Sequence, residues 1–471
     1  MLNVSSRCGY RLVAKVSVAK FGGSLLDPEG KGIPKILKRI KELKAGSLGP
    51  VMIFSAPTGI TDELIRIGES CAQSGQSSVN AVFGIYEHLA ERFVSGNLLK
   101  KAKADLAFYK TNTEEALGRV NRRFSGNAKA KVLTYGGELA TSALMNYILL
   151  SANLNSVFIA PCDFPVVTDD DFEEATPNFE LSRQKLTVLS KPLEKGKAVC
   201  MAGFLGVTHD GLETILGRGG SDLTAVFISC LLRDCFETET LLYKDVPVQS
   251  ADPKVVKGQQ TIHVASMTYN EAHKASMMGM KIIQGSAIAL AMQFSQPLSV
   301  VPIDDPQMFS VIQREEKGKE VVKCVAGKSG CAILSMRDEK SRSLEDSLRI
   351  WERRNDFMDL GAETLETGDR IRDFLFLDSD FLQKNEEKFK GFDVDLKVEY
   401  GLGVVTLIGD RMKASAGVAS TAMGAIRGIN IKRGIFAPHT SQIIIVVEDK
   451  NVKPTVAAIH HEMADLNKSS N

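Results

Sequence analysis

The N-terminal third alternates two kinds of segment, and that alternation limits the fold more than any other feature. "LVAKVSVAKFGGSLL" alternates apolar and polar residues from Leu12 to Val18 and then reaches glycines, the pattern of a buried strand ending in a loop. "IPKILKRIKELK" follows as an amphipathic helix with Ile33, Ile36, Leu37, Ile40 and Leu43 on one face. "PVMIFSA" is a second buried strand and "ITDELIRIGESC" a second helix. This β-α-β-α order predicts a mainly parallel sheet covered by helices on both faces. Ser78 to Arg123 reads as helical. "KVLTYGGELATSALMNYILLSA" is expected to give a short strand, a Gly-Gly turn and a long helix. "NSVFIAP", "KAVCMAGFLGV", "ETLLYKDV" and "PLSVVPI" read as further strands, with "GSDLTAVFISCLLRD", "MTYNEAHKASMMGM" and "IQGSAIALAMQF" as helices. Open α/β sheets bind ligands outside the carboxyl ends of their strands. The loops leaving these strands carry the unusual residues: Lys20 to Gly23, Ser55 to Thr61, Gly136 to Glu138, Gly217 to Asp222, and Asp245.

After Asp304 the texture changes. "CAILSM" (strand), "SRSLEDSLRIWERRND" (helix), "FMDLGAET" and "DRIRDFLFL" (strands) are followed by "YGLGVVTLIGDR", "GVASTAMGAIRGI", "NIKRGIF", "SQIIIVVED" and the helix "VKPTVAAIHHEMADL". One β-α-β-β plan is used twice, which predicts a tandem pair of small α+β modules. His460 and His461, on the last helix, read as surface residues.

The chain has 471 residues, enough for about two to four domains. A formal net charge of +1 and the lack of any long basic run argue against nucleic-acid or membrane-surface binding. No apolar stretch approaches the ~18–20 residues of a membrane span. Eight cysteines are scattered without a Cys-x-x-Cys pair. Cys200, Cys230 and Cys331 read as small core residues, which points to a reducing, cytoplasmic setting. Met1 to Lys15 carries Arg7, Arg11 and Lys15 and no acid; it reads as a short extension rather than an organellar presequence.

Two loops carry chemistry. "LGRGGSDLTA", Leu216 to Ala225, sets glycines and one arginine at a strand–loop–helix junction. Backbone N–H groups and the helix dipole favour an anion there, and the Arg218 fork matches a carboxylate or a phosphate. Asp222 fits only if it works on a cation. The competing reading is a plain turn with Ser221 as helix N-cap. "AKFGGS", Ala19 to Ser24, places Lys20 at a strand end beside Gly22 and Gly23, which suits a polyphosphate; the Walker spacing is absent. A lysine snorkelling from the strand end is the structural alternative.

"KFGGS", "SAPTGITDEL", "YGGELATS", "GRGGSDLTA" and "YKDVPVQSADPKVV", in this order and at these separations, resemble the aspartate kinase branch of the amino-acid kinase superfamily, with the tail resembling its paired ACT regulatory modules. The resemblance covers nearly the whole chain. It implies a catalytic domain over 12–304, a first ACT-like module over 320–392 and a second over 393–471, with strands open to exchange between the modules. It implies Lys20, Phe21, Gly22 and Gly23 at the phosphate corner, Asp222 orienting Lys20, and Lys244, Asp245, Lys254, Lys281 and Ile282 at ATP. Ser55, Thr61, Phe204 and Ser221 would line the aspartate site, Glu138 would receive the ammonium, and Arg218 would clamp the α-carboxylate. The implied reaction is transfer of the ATP γ-phosphate, with Mg²⁺, to the β-carboxylate of L-aspartate. The resemblance further implies a homodimer or dimer of dimers, with lysine or threonine as effector. A kinase for acetylglutamate, glutamate or UMP, and an inactive amino-acid sensor, are the rival readings.

The chain also departs from the pattern. Leu139 follows Glu138 where arginine is usual, Lys244 stands where threonine is common, and Lys254 replaces an arginine. The nucleotide loop is one residue short. "SMRDEKSRSLED" lacks a glycine-led turn, and "NDF" replaces Asn-Ile.

Overall fold

The computed structural model describes residues 14–315, 317–350, 357–437 and 441–468. The N-terminal extension and Asn355 and Asp356 of "NDF" lie outside them. The chain divides into two compact units, 1–247 with 286–314 and 248–285 with 315–471. Residues 248–285 therefore group with the C-terminal unit and not with the strands on either side of them in sequence.

In the first unit, β1 (Lys15–Phe21), β2 (Val51–Phe54), β3 (Ser156–Phe158), β4 (Ala198–Ala202), β5 (Leu205–Val207), β6 (Glu213–Ile215) and β7 (Glu237–Lys244) precede the excursion. The excursion holds β8 (Ser266–Thr268), and the chain returns for β9 (Leu298–Pro302) and β10 (Ser310–Gln313). The sheet of this unit runs β3-β4-β2-β1-β7-β9-β10, parallel throughout except for the β9–β10 pair. Every residue of β2 and β4 is buried, as both faces of a covered parallel sheet require. β1 is flanked by β2 on one side and by β7 on the other, where the strand order reverses. Such a reversal opens a crevice at the carboxyl ends of the strands.

Two expected elements differ. "KVLTYGG" is not a strand. The helix Gly126–Leu133 runs into a π-helical turn, Thr134–Leu139, and on into the helix Ala140–Ser151. A short buried apolar run has no periodicity that separates strand from helix. "KAVCMAGFLGV" is two strands, β4 and β5, broken where Phe204 adopts φ 66°.

The second unit is an antiparallel sheet ordered β12-β13-β11-β14-β16-β15. Its strands are β11 (Cys324–Arg337), β12 (Phe357–Thr364), β13 (Arg370–Phe376), β14 (Lys397–Ile408), β15 (Ile431–Ala437) and β16 (Gln442–Glu448). β11 and β14 are each shared. Cys324–Lys328 pair with Val404–Ile408, while Ala332–Arg337 pair with β13 beyond a pair of register shifts. One core gathers Leu334, Leu344, Phe374 and Phe389; the other gathers Val325, Leu407, Val418, Ile445 and Val456 with Ala251 and Val256 of the excursion. The excursion is anchored inside this unit by Glu271 and Lys323, a fully buried pair 2.9 Å apart.

His460 corrects the surface expectation: it is buried, with Nε2 2.8 Å from Ser250 Oγ and Nδ1 2.8 Å from Gln259 Oε1. Burial lowers its pKa and favours the neutral ring. His461 is exposed, as expected. Cys200, Cys230 and Cys331 are buried free thiols.

Candidate active site

Lys20 sits one residue before the end of β1, and its Nζ lies 2.7 Å from Asp222 Oδ1. Both side chains are buried. Asp222 is in the first turn of the helix Gly220–Leu232, where the dipole favours a carboxylate. The helix is entered through Gly219 at φ 77°, a conformation that costs a side chain energy. Gly219, not Ser221, is therefore the N-cap, and Ser221 is free to line the site. Lys244, the last residue of β7, approaches the same acid: its Nζ is 3.9 Å from Asp222 Oδ2. Burial, with Lys20 nearby, lowers the Lys244 pKa against the pull of Asp222.

Beside this corner is a cavity of about 450 Å³ lined by Lys20, Ser55, Thr61, Glu138, Phe204, Arg218 and Ser221. The two loops singled out in the sequence thus meet in one space. Glu138 lies on the π-helical turn. Its Oε1 accepts a hydrogen bond from the Ala56 N–H at 3.2 Å. Its Oε2 is buried without a hydrogen-bond partner among the described residues. Desolvation pushes this carboxyl up to about 7, against the opposing pull of the Ala56 N–H and of Lys20. Arg218 is exposed at the mouth. Phe204 is held at positive φ on the wall, with its N–H donating to Thr224 Oγ1 at 3.1 Å. Strain of this kind persists only where the surroundings hold it, and it gathers at ligand sites.

The remaining nucleotide candidates scatter. Phe21 is fully buried, stacked between Phe54 and Tyr243, so its ring backs the sheet and presents nothing to a ligand. Gly22 and Gly23 follow directly after β1. Asp245 is exposed just past β7. Lys254 and Lys281, both exposed, and Ile282, which is buried, belong to the second unit.

Several residues at the site carried no signal in the sequence. Lys129, Glu173 and Glu174 also line the cavity, and Lys129 pairs with Glu173. Tyr86 supports the π-helical turn from behind. Its hydroxyl lies 2.9 Å from Gly136 O and 3.1 Å from Gly137 O, while Thr141 Oγ1 donates to Gly137 O at 2.8 Å. Tyr86 reads in sequence as one more apolar helix position. We expect Tyr86→Phe to leave these carbonyls undersatisfied, to cost ~1–3 kcal/mol in denaturant unfolding, and to loosen Glu138. An unchanged midpoint would mean that Thr141 alone suffices.

A lysine followed by glycines at a sheet reversal thus opens on a cavity that holds a buried acid and a guanidinium. The charged groups lining the cavity are Lys20, Asp62, Lys129, Glu138, Glu173, Glu174 and Arg218. The chain belongs to the amino acid kinase family, whose model matches residues 15–302. It is similar to an aspartate kinase of Stutzerimonas stutzeri, 23% identical over 357 residues, covering 70% of this chain and 80% of the relative. An aspartokinase of Chlamydia muridarum is 28% identical over 298 residues, 61% of each chain. The fold is similar to Escherichia coli aspartokinase III in complex with aspartate and ADP, with a TM-score of 0.77 and 21% identity over 95% of this chain and 99% of that one. It is also similar to the same enzyme in complex with lysine and aspartate, at a TM-score of 0.71 and 20% identity.

Proposed function

We propose that this chain is an aspartate kinase, transferring the γ-phosphoryl group of ATP to the β-carboxylate of L-aspartate. The observation that carries the reading is the buried carboxylate of Glu138 with one oxygen unpartnered, in the same cavity as Arg218 and Lys20. A buried acid in want of a cation suits the α-ammonium of a free amino acid, and a guanidinium suits its α-carboxylate. An N-acetylated acceptor or a nucleoside monophosphate offers no ammonium to Glu138. The relatives named aspartate kinase support the same acceptor.

On this reading a substrate oxygen attacks the γ-phosphorus, a new O–P bond forms, and the bond from phosphorus to the ADP oxygen breaks. The attacking carboxylate is ionised at neutral pH, so no general base is needed. The protein's part is positioning and charge. Lys20 faces the transferred group, Asp222 fixes Lys20, and Gly22 and Gly23 supply N–H groups. Ser55, Thr61, Phe204 and Ser221 shape the acceptor end, while Asp245, Lys254, Lys281 and Ile282 remain candidates for the nucleotide. Among the described residues no three His, Cys, Asp or Glu side chains gather as a metal site. Mg²⁺ would therefore arrive with the phosphates of ATP as part of the substrate.

The test is ADP release with L-aspartate, N-acetyl-L-aspartate, N-acetyl-L-glutamate and UMP in turn, with hydroxylamine trapping of the acyl phosphate. Turnover with an acetylated acceptor and none with aspartate would reject the reading. Arg218→Lys is expected to raise the aspartate KM at least tenfold and to change the ATP KM much less, because a point charge cannot reproduce the two-pronged contact. Equal losses for both substrates would reject a carboxylate clamp.

The C-terminal modules are proposed to bind lysine or threonine and to join two chains. In the first module β11 passes straight into the helix Asp338–Ile350. Arg337 there donates its N–H to Asp393 at 3.0 Å and pairs its guanidinium with the same acid at 2.9 Å. That filled turn favours the second module as the effector site, where Gly417 at φ 84° opens the helix Val418–Ala425. Lysine or threonine at millimolar concentration is expected to shift the apparent aspartate affinity ~5–150-fold. No change with either would leave the modules as an assembly device.

A further inference from the structure

We propose that Glu173 is a positioning residue for the acceptor: its carboxylate fixes the span between Glu138 and Arg218, and so sets which amino-acid head group the cavity holds. The proposal rests on the kinase reading above and deepens it.

Glu138 and Arg218 belong to different elements. Glu138 lies on the π-helical turn that continues the helix Gly126–Leu133. Arg218 lies just past β6, between Gly217 at φ 68° and Gly219 at φ 77°. An α-amino acid carries its ammonium and its carboxylate on one carbon, so the two elements must keep a fixed separation to hold both. Glu173 joins them. On one side its Oε1 accepts the Gly126 N–H at 2.8 Å, and its Oε2 accepts from Lys129 Nζ. The helix begins at Gly126, and Ser125, its N-cap, makes no side-chain capping bond. The Glu173 carboxylate therefore caps this helix from a distant segment, where the helix dipole favours negative charge. On the other side, Glu173 sits in a short stretch laid antiparallel to the end of β6. The Ile215 N–H donates to Phe172 O at 3.0 Å, and the Ala175 N–H donates to Ile215 O at 2.9 Å. Glu174 bridges to Leu216, and a Cβ on Gly217 would stand 3.5 Å from Glu174 Cγ. The stretch is itself held, since Asp171 Oδ1 accepts the N–H groups of Glu173 and Glu174, each at 3.0 Å. A second tie, from Asn127 Nδ2 to Glu213 O at 2.9 Å, joins the same two elements. Lys129, Glu173 and Glu174 all line the cavity, so the brace lies at the site itself. The Lys129 and Glu173 side chains are 25% and 33% exposed, so their ion pair alone contributes little, and the charged cap on a backbone N–H is the larger part.

The experiment compares the full chain with Glu173→Ala, Glu173→Gln and Lys129→Met. It uses steady-state kinetics with aspartate and ATP each varied, and amide hydrogen exchange without ligands. Misplacing a positioned group by about 1 Å can cost ~10²-fold, so aspartate kcat/KM is expected to fall roughly 10–100-fold in Glu173→Ala, mainly through KM, with the ATP KM changed less than about twofold. Glu173→Gln can still accept the Gly126 N–H and should recover part of this loss. Lys129→Met should cost no more than about fivefold, as removal of a partly exposed ion pair does. In Glu173→Ala, exchange should quicken together over 134–139 and over 215–219. An unchanged aspartate KM, or equal rises for aspartate and ATP, would overturn the proposal and leave Glu173 as a brace of the fold alone. Faster exchange confined to 169–175 would overturn it as well. A parent that does not turn over aspartate would reject the acceptor reading instead, and the exchange result would then decide the brace by itself.

Discussion

Replacing Lys20 by alanine is expected to lower kcat by roughly 10²–10³-fold, the usual cost of removing one well-placed electrostatic stabiliser. The ATP KM should change far less. The reason is geometric. Lys20 is buried and fixed by Asp222 at 2.7 Å, so its charge is already in place before the phosphoryl group moves, and no reorganisation is needed in the transition state. Its removal also takes from Asp222 its cation at 2.7 Å and leaves Lys244 more distant, at 3.9 Å. Lys20→Ala should therefore lose stability as well as rate. Asp222→Asn in the same background should recover part of the stability and none of the rate. Steady-state kinetics with both substrates varied, alongside urea unfolding, read the two effects apart. A preserved kcat with a raised ATP KM would make Lys20 a binding residue only.

The parts of this fold that sequence reveals are those whose cause is local. β2 and β4 are apolar runs because both their faces are covered, β1 shows as an alternation that ends in glycines, and each is visible without knowing its neighbour. The site motifs were visible for the same reason. A lysine followed by glycines at a strand end, and an arginine and aspartate around glycines at a helix start, are short patterns with a mechanism. What sequence does not reveal depends on distant partners. Cys324–Lys328, rich in polar and small residues, forms a strand because Val404–Ile408 pairs with it. His460 is buried because Ser250 and Gln259, about two hundred positions earlier, meet both ring nitrogens. The π-helical turn needs Tyr86 and Thr141 to hold its carbonyls, and neither residue has a sequence signature for that task. The approach of Lys244 to Asp222 belongs to the same group. In the sequence it is only a lysine where threonine is common, whereas the pairing of β1 with β7 brings its side chain toward the acid beside Lys20.

Glu138→Gln is expected to abolish useful aspartate binding and at the same time to stabilise the free protein. The Glu138 carboxyl is raised from its ordinary value to about 7 by burial, so the folded chain holds a proton on it that the unfolded chain releases above about 4.5. Between these two values the native state binds more protons, and stability falls as pH rises through the window. Above about pH 7 the whole penalty is present, about 3 kcal/mol for a shift of this size, and below about pH 4 it vanishes. Glutamine carries no charge to desolvate, and its carbonyl can still accept the Ala56 N–H. Glu138→Gln should therefore exceed the parent in unfolding free energy at pH 8 and match it at pH 4. The same titration governs the substrate. An ammonium is held by the ionised carboxylate, and the ionised fraction rises about tenfold from pH 6 to pH 8 for a group titrating near 7. Aspartate affinity in the parent should rise by about that factor over the range, with a proton released on binding, and the variant should show neither trend. Calorimetry of aspartate binding at pH 6 and pH 8 in buffers of different ionisation enthalpy measures both. A pH-independent affinity without proton release would mean that Glu138 is already ionised in the free protein. A variant no more stable than the parent at pH 8 would show that the buried oxygen costs nothing. Undiminished aspartate binding by Glu138→Gln would remove the cation-seeking carboxylate on which the acceptor reading stands.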